Sequence, residues 1–318
     1  MRFDSRGLVS TYLSQWMPTG DTTRQAVAGY FAGGYNGAFL SAIDKFAFPS
    51  DTKTVLADSL TAAGYQLRGF ANSGVAGYAC GVGYGPSSEQ TTVNKITFAT
   101  DTRSTTTALG TARRGGSGFS NNGVAGYFAG GCDGGDYLSS VEKFAFPADT
   151  RTTTTALVGQ TFSFGSFHNN GVAGYALGGN YNGANGSQIQ KMTFPADSVS
   201  TLSATLTTAL AGNIGFADSG VAGYSLGGYQ GGYLTNVDKI SLVNDTKTTT
   251  TSLSDGTNAM MQGFSNTAVA GYAGGGNQGG SDVNTVKKMS FPSDTISNTT
   301  NLSSTNEYGA GFANEGTF

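Results

Sequence analysis

The segment "GVAGYFAGG" at residues 123–131 decides the fold, because nearly the same residues recur along the chain. Close copies are "AVAGYFAGG" from Ala26, "GVAGYALGG" from Gly171 and "GVAGYSLGG" from Gly220. The tripeptide Ala-Gly-Tyr recurs in steps of 48, 49, 48, 49 and 48 residues, ending at Tyr30, Tyr78, Tyr127, Tyr175, Tyr224 and Tyr272. Six copies at an almost constant spacing indicate a repeat architecture.

Each copy carries four segments that are typical of β-strands. In the third copy they are "RRGGSGFS" (113–120), "VAGYFAGG" (124–131), "SSVEKFAFP" (139–147) and "DTRTTTTAL" (149–157). The turn "NNG" (121–123) favours the positive φ angles of a tight hairpin between the first two segments. The third segment alternates, with Val141 and Lys143 on one face and Glu142 and Phe144 on the other, which indicates a strand.

Four antiparallel strands in each of six units predict an all-β fold, a six-bladed β-propeller that spans residues 25–318. The first unit lacks its first strand. The C-terminal segment "YGAGFANEGTF" (308–318) matches only that missing strand, as in "YQLRGFANSGV" (65–75). We therefore expect the C-terminal strand to complete the first blade and remove the open sheet edge.

Residues 1–24 match no unit and form a separate N-terminal segment that contains Trp16, the only tryptophan. Such a segment is either disordered or an arm that docks the propeller to a partner. The sequence favours the arm, because the repeats offer no other obvious attachment device.

The order of motifs in each unit resembles the kelch repeat. Gly130-Gly131, then "SSVEKFAF" (139–146), then "DTRTTTT" (149–155) follow the kelch order, although the aromatic residue that often follows the threonine stretch is absent. The glycine pair also breaks in the second copy, "CGVGYG" (80–85). The phrases "VDKI" (237–240), "FPADT" (146–150) and "FPSDT" (291–295) are similar to kelch-like repeats in structural proteins of tailed phages, especially cyanophages. The resemblance implies a six-bladed kelch-like propeller that is part of a virion.

Composition excludes several partners. The net charge is −3 and only 12% of the residues are charged, which argues against nucleic acid, since phosphate binding needs a basic face. No apolar run is long enough to cross a bilayer, and the N-terminus lacks the apolar core of a Sec signal, so we expect no membrane insertion. Two cysteines, Cys80 and Cys132, do not make a disulfide framework and are expected as packed or free thiols.

No residue pattern points to catalysis, a metal or a cofactor. The single histidine, His168 in "SFHNNGV", is expected at a turn on the surface. Kelch-type oxidases bind copper through two histidines and two tyrosines, and one histidine cannot supply that site. The two cysteines show no metal-ligand spacing.

Two charged residues recur in every unit and are interpreted as structural. An aspartate opens each fourth strand, where its side chain is expected to accept hydrogen bonds from backbone N–H groups of the turn. A lysine lies in each third strand, where its ammonium is expected to find a carboxylate. The residues are Asp51, Asp101, Asp149, Asp197, Asp245 and Asp294, with Lys45, Lys95, Lys143, Lys191, Lys239 and Lys288.

The copies differ most in the loops after the glycine pair and in the loops that join successive units. In a kelch-like propeller these loops share one face, and their tyrosines and amides suit a sugar or a protein surface. The alternative interpretation is that Gly, Asn and Asp serve there only as turn formers. The predicted ligand-binding residues are Tyr35, Tyr65, Arg68, Tyr84, Arg113, Arg114, Tyr137, Tyr181, Tyr229, Tyr233 and Asn277.

The sequence thus favours a non-enzymatic virion protein of a phage, assembled in the host cytoplasm, whose loop face binds a host-surface glycan or a neighbouring virion protein. Other virion proteins would dock through residues 1–24. The alternative is a cytoplasmic, cellular kelch-type scaffold for protein–protein interactions. An enzyme is the least favoured of the three hypotheses.

Overall fold

A computed structural model describes residues 27–83, 88–181, 183–250, 252–253, 256 and 258–315. Its regular structure consists of β-strands, and the described residues contain no helix that could cross a membrane. In chain order the strands are β1 (Ala28–Tyr35), β2 (Phe39–Ala47), β3 (Thr52–Val55), β4 (Arg68–Asn72), β5 (Ala76–Cys80), β6 (Asn94–Thr97), β7 (Thr102–Thr105), β8 (Ser117–Asn121), β9 (Ala125–Ala129), β10 (Val141–Ala145), β11 (Thr150–Thr154), β12 (Gly165–Asn169), β13 (Ala173–Tyr181), β14 (Ala184–Thr193), β15 (Ser198–Leu210), β16 (Ile214–Asp218), β17 (Ala222–Leu226), β18 (Val237–Ser241), β19 (Lys247–Thr249), β20 (Gln262–Asn266), β21 (Ala270–Gly274), β22 (Asn277–Gln278), β23 (Ser281–Asp282), β24 (Val286–Ser290), β25 (Thr295–Asn298) and β26 (Ala310–Asn314).

Twenty-four of these strands form six four-stranded antiparallel sheets, which are the blades of a β-propeller, and β22 and β23 form a short two-stranded sheet in a loop of the sixth blade. The orders within the blades are β26-β1-β2-β3, β4-β5-β6-β7, β8-β9-β10-β11, β12-β13-β14-β15, β16-β17-β18-β19 and β20-β21-β24-β25. The first strand of each order lies innermost and touches the innermost strands of both neighbouring blades, so the six sheets close into a ring. The expected fold and strand count are confirmed. The threonine-rich strands lie on the outer edges of their blades.

The C-terminal strand closes the ring as predicted. β26 pairs antiparallel with β1, so that Phe312 lies opposite Tyr30 and Ala310 opposite Ala32. β26 also packs against β4 and β20, the inner strands of the second and sixth blades. The first blade is therefore built from both ends of the repeat region, and no sheet edge is left open at the seam.

The core lies between the blades. Six hydrophobic clusters are present in the described residues, and each spans one boundary between neighbouring blades. The inner-strand phenylalanine of one blade lies over the glycine of the Ala-Gly-Tyr tripeptide in the next. A Cβ at Gly126 would lie 2.2 Å from the ring of Phe70. The same pairing occurs at Gly29–Phe264, Gly77–Phe312, Gly174–Phe119, Gly223–Phe167 and Gly271–Phe216.

A second set of glycines lets the inner strands approach one another. A Cβ at Gly118 would lie 2.3 Å from the carbonyl oxygen of Gly69 in the neighbouring inner strand. A Cβ at Gly311 would lie 2.3 Å from the carbonyl oxygen of Gly263. Backbone cannot yield as a flexible side chain can, so these positions accept only glycine without a shift of the ring.

A repeated set of polar contacts, here called the Tyr–Lys–Asp interlock, joins each blade to the next. In one copy the Tyr78 hydroxyl donates to Asp149 Oδ1 at 2.7 Å, and Lys95 Nζ lies 2.6 Å from Asp149 Oδ2. The other copies are Tyr30, Lys45 and Asp101; Tyr127, Lys143 and Asp197; Tyr175, Lys191 and Asp245; Tyr224, Lys239 and Asp294; and Tyr272, Lys288 and Asp51.

The interlock confirms the ion pair predicted for the lysines and corrects the role predicted for the aspartates. Each aspartate has a positive φ of 53–56° at the turn, but its carboxylate accepts from the tyrosine and lysine of the preceding blade rather than from turn N–H groups. The contact partners are 54–71 residues apart in five copies and 221 and 237 residues apart in the copy that closes the ring, so local turn chemistry does not reveal them.

Candidate ligand-binding face and central channel

The propeller has two ends with different chemistry. The turn face carries the turns between the first two and the last two strands of each blade, such as 122–124 and 146–149. The loop face carries the loops after the glycine pairs and the loops between blades, such as 36–38 and 56–67. On the turn face a valine follows the hairpin turn and is exposed in five blades, at Val27, Val75, Val124, Val172 and Val221.

A closed ring of backbone hydrogen bonds forms the floor of the loop face. Its six residues, here called the mouth ring, all have positive φ and are Gln66, Gly115, Ser163, Gly212, Met260 and Tyr308. From Gly115 onwards, the N–H of each mouth-ring residue donates to the carbonyl of the mouth-ring residue in the preceding blade, at 2.6–2.9 Å. The ring closes where Leu67 N–H donates to the Tyr308 carbonyl at 3.1 Å. Backbone bonds between all six blades make this floor rigid.

The residues just outside the mouth ring join the two kinds of loop. Each residue that precedes a mouth-ring residue forms an antiparallel bridge with the residue after the glycine pair of the same blade. The bridges are Tyr35–Glu307, Tyr65–Gly83, Arg114–Cys132, Phe162–Asn180, Ala211–Tyr229 and Ala259–Asn277. The structure therefore places Tyr35, Tyr65, Arg114, Tyr229 and Asn277 on one surface, around the axis.

Four aromatic side chains of the first and second blades form one group, here called the aromatic cluster: Tyr35, Phe39, Tyr65 and Tyr308. Ring centroids are 5.9 Å apart between Tyr35 and Tyr65, 5.6 Å between Phe39 and Tyr65, and 6.0 Å between Tyr65 and Tyr308. Phe39 is 38% exposed, although it is a large apolar side chain. A fixed, exposed ring flanked by tyrosine hydroxyls provides a surface that can stack on a planar or apolar ligand face.

Two further aromatic contacts lie elsewhere on the loop face. Tyr229 is 39% exposed and meets Tyr233 edge-on at 5.4 Å. Tyr137 stacks on Phe162 at 5.3 Å. The Arg114 guanidinium lies 5.6 Å from the Phe162 ring and pairs with Glu89 at 3.2 Å. Arg114 is thus held by its neighbours beside the mouth ring.

Glu307 and Asp282 lie close together beside the aromatic cluster and are here called the acidic corner. Burial and the nearby Asp282 raise the pKa of Glu307 to about 7, while a hydrogen bond from Asn277 opposes the rise. Asn277 Nδ2 also donates to Asp282 Oδ1 at 2.9 Å. Glu307 is therefore the loop-face group whose charge changes near neutral pH. It was missed in the sequence, although it precedes Tyr308 at the position that holds Tyr65 and Arg114 in other units.

Two predicted site residues do not reach the surface. Arg68 lies in the inner strand β4 and is 4% exposed, and Arg113 is 1% exposed and pairs with Glu142 at 2.7 Å. Tyr181 is half-buried against its own blade, where its hydroxyl accepts from Gln190 at 3.2 Å. Tyr84 lies outside the described residues, as does the segment 1–24.

The central channel opens toward the turn face and contains the only histidine. The channel has a volume of about 70 Å³ and is lined by the inner strands, with Glu315 near its turn-face end. His168 lies in β12 and lines this channel, so its predicted place at a surface turn is wrong. At the matching positions the other blades have the small residues Ala71, Ser120, Ala217, Ser265 and Ala313. Burial lowers the pKa of His168 to about 4, so the ring is neutral at physiological pH.

The two cysteines that the sequence singles out lie in the interior. Both cysteines are buried free thiols, as expected, and burial raises the pKa of each. Within the described residues no three His, Cys, Asp or Glu side chains are grouped to hold a metal ion. No protein-family model matches the chain, and no curated protein matches it significantly. The structure shows a six-bladed β-propeller, and neither comparison gives evidence of kelch repeats or of a phage origin.

Proposed function

We propose that this chain is a non-enzymatic attachment protein of a phage particle and that its loop face binds a carbohydrate on the host surface. The observation that supports the binding role is the aromatic cluster with its exposed Phe39 ring. Aromatic rings present large apolar faces at low conformational cost, which suits the C–H face of a sugar.

The polar neighbours of the cluster support a carbohydrate over an apolar ligand. Tyr35 and Glu307 exchange backbone hydrogen bonds at 2.9 Å, so the Glu307 carboxyl belongs to the same surface as the rings. Asn277 adds an amide at the neighbouring bridge, in the sixth blade. Sugar hydroxyls need such donors and acceptors around a stacking platform. A neighbouring virion protein is the other ligand for this face.

The virion assignment is supported by the likeness of "FPADT" (146–150) and "FPSDT" (291–295) to phage structural repeats. In this proposal residues 1–24 attach the propeller to another virion protein, and the loop face points away from the particle. The protein uses no cofactor and is assembled in the host cytoplasm before it enters the virion.

The carbohydrate proposal is tested on a glycan array with the full chain. We expect binding to a restricted set of glycans and a loss of about tenfold in affinity for Phe39→Ala, because one stacking platform is removed. Val221→Ala on the turn face is the matched control, since Val221 is another exposed apolar side chain. Binding that is equal in the two variants contradicts the proposed site.

The virion proposal is tested separately by mass spectrometry of purified particles of the source phage. We expect the chain among the structural proteins at a fixed copy number. Its absence from intact particles, together with capture of a defined cellular partner through the loop face, would instead support the cellular kelch-type scaffold.

A further inference from the structure

Among the described residues, Arg68 is a buried cation without a counter-ion. It is 4% exposed, and Nη1 donates to the Leu67 carbonyl at 2.8 Å. Nε and Nη2 have no hydrogen-bond partner, and no carboxylate among the described residues pairs with this guanidinium. Three of its five N–H donors belong to these two unpartnered nitrogens.

Arg113 shows how the same fold buries an arginine with a partner. Arg113 is 1% exposed, and its Nη2 lies 2.7 Å from Glu142 Oε1. Its Nη1 donates to the Gly130 carbonyl at 3.1 Å and to Ser140 Oγ at 3.0 Å. The two arginines are similarly buried, and only one of them has an anion.

A buried guanidinium keeps its positive charge, because it does not lose a proton at neutral pH. Burial lowers the pKa of Arg68 to about 10, which still leaves the side chain protonated at neutral pH. An unpaired ion in the protein interior costs several kcal/mol even after relaxation. A bound counter-ion would remove that cost. The groups around the guanidinium determine whether an anion can bind there.

The surroundings of Arg68 are polar and incompletely hydrogen-bonded. Leu67 N–H donates to the Tyr308 carbonyl of the segment that leads into β26, and the Leu67 carbonyl accepts from Arg68 Nη1, so the guanidinium lies close to this junction. The Tyr308 hydroxyl is close enough to interact with it electrostatically. Gln66 Oε1 and both side-chain amide atoms of Gln262 are also unpartnered.

The inner strands carry mostly small residues at the level of Arg68. The residues that match Arg68 in the other inner strands are Ser117, Gly165, Ile214, Gln262 and Ala310. Three of the five are small. Among the described residues, five of the thirteen unpartnered buried polar atoms belong to Arg68, Gln66 and Gln262. These orphan groups are concentrated just beneath the mouth ring.

We propose that Arg68 binds a small monovalent anion of the halide class beneath the mouth ring, at the junction between β4 and the Tyr308 segment. Nε and Nη2 of Arg68 supply the charged donors, and the Tyr308 hydroxyl supplies a neutral donor. One cation balances one negative charge, which favours a monoanion over phosphate or sulfate. The anion stabilises the junction between β4 and the segment that leads into β26, independently of what the loop face binds.

Crystals of the full chain grown in sodium bromide test the site directly. We expect anomalous bromine density within hydrogen-bonding distance of Arg68 Nε or Nη2, beneath the mouth ring. Bromide at surface positions with only water, or nothing, beside Arg68 would overturn the proposal. This measurement needs no variant and therefore does not depend on the folding of a mutant.

Thermal unfolding provides the second test. In gluconate buffer, replacement of gluconate by bromide at constant ionic strength is expected to raise the midpoint of the wild type by about 3 °C. Arg68→Met should lose this response, whereas Arg103→Met should keep it, because Arg103 already donates to the Ser59 carbonyl at the surface. An equal bromide response in wild type and Arg68→Met would contradict the site.

Discussion

The contacts between the blades and the surface of the loop face follow opposite patterns. Between the blades, six copies of the Tyr–Lys–Asp interlock use the same three residue types, with each Lys–Asp distance at 2.6–2.7 Å. On the loop face, the six bridge positions outside the mouth ring hold Tyr65, Arg114, Phe162, Ala211, Ala259 and Glu307. Five different residue types occupy one structural position there.

The difference separates the residues that build the ring from those available for binding. Every boundary between blades must bury the same kind of surface, so the same contact recurs. A ligand that covers the axis contacts all six blades at once, so the residues that bind it need not be the same in every blade. The aromatic cluster and the acidic corner lie in the part where the repeat is lost, whereas the interlock lies where it is kept. Three measurements test whether the two regions differ in this way.

The largest expected effect comes from a glycine of the inner ring. Gly118→Ala places a Cβ 2.3 Å from the Gly69 carbonyl oxygen, and overpacking against backbone is expected to cost about 3 kcal/mol of unfolding free energy. Gly135→Ala on the loop face is the matched control, since a Cβ there meets nothing within 4 Å. Urea unfolding measures both. Similar losses in the two variants would show that the inner ring is not tightly packed.

Removing an aspartate charge from the interlock should cost more unfolding free energy where that aspartate is more deeply buried. Asp149→Asn removes the charge that receives Tyr78 and Lys95 at a site where the aspartate side chain is 4% exposed, so we expect a loss of about 2 kcal/mol. Asp101→Asn makes the same change where the side chain is 31% exposed, and water should limit the loss to below about 1 kcal/mol.

Asparagine is the right replacement because it tolerates the positive φ that both aspartates adopt, 54° at Asp149 and 55° at Asp101. Unfolding of both variants at low and high salt measures the two losses and their screening. Equal losses would mean that burial does not control the strength of the interlock.

The smallest effect is a pH dependence on the loop face. Burial raises the pKa of Glu307 to about 7 from an ordinary 4.5, so the folded state binds more protons than the unfolded state between these values. Stability from this group is therefore present at low pH and falls as the pH rises toward 7. After solvent screening the change is on the order of 1 kcal/mol.

Glu307→Gln should remove this dependence of the unfolding free energy on pH. The measurement is the difference in unfolding free energy between variant and wild type at pH 4.5 and at pH 8, and we expect the variant to gain relative stability at the higher pH. The difference cancels the titration of other groups, apart from Tyr233 and Tyr308, whose pKa values Glu307 raises. A constant difference would show that Glu307 titrates normally.

The sequence predicted some of these contacts and missed others for identifiable reasons. The third-strand lysines were expected to meet a carboxylate, and each does. The aspartate partner was misassigned, because Asp149 contacts Tyr78 in the preceding blade, 71 residues away. His168 was placed at a turn, because its neighbours "HNNG" read as one, yet β12 extends through Asn169. Local patterns predict turns and strand periods, but they do not show which residues of other blades a side chain contacts.

Periodicity along the chain predicted the blade count, the four strands of each blade and the closure of the first blade by β26. Which of the varied residues contact one another is visible only in the folded chain. There Phe39 and Tyr308 lie beside Tyr65, Glu307 has an acidic neighbour, and Arg68 is buried without a carboxylate while Arg113 pairs with Glu142. These outcomes depend on distances across the ring between segments far apart in sequence, and no spacing within one repeat encodes them.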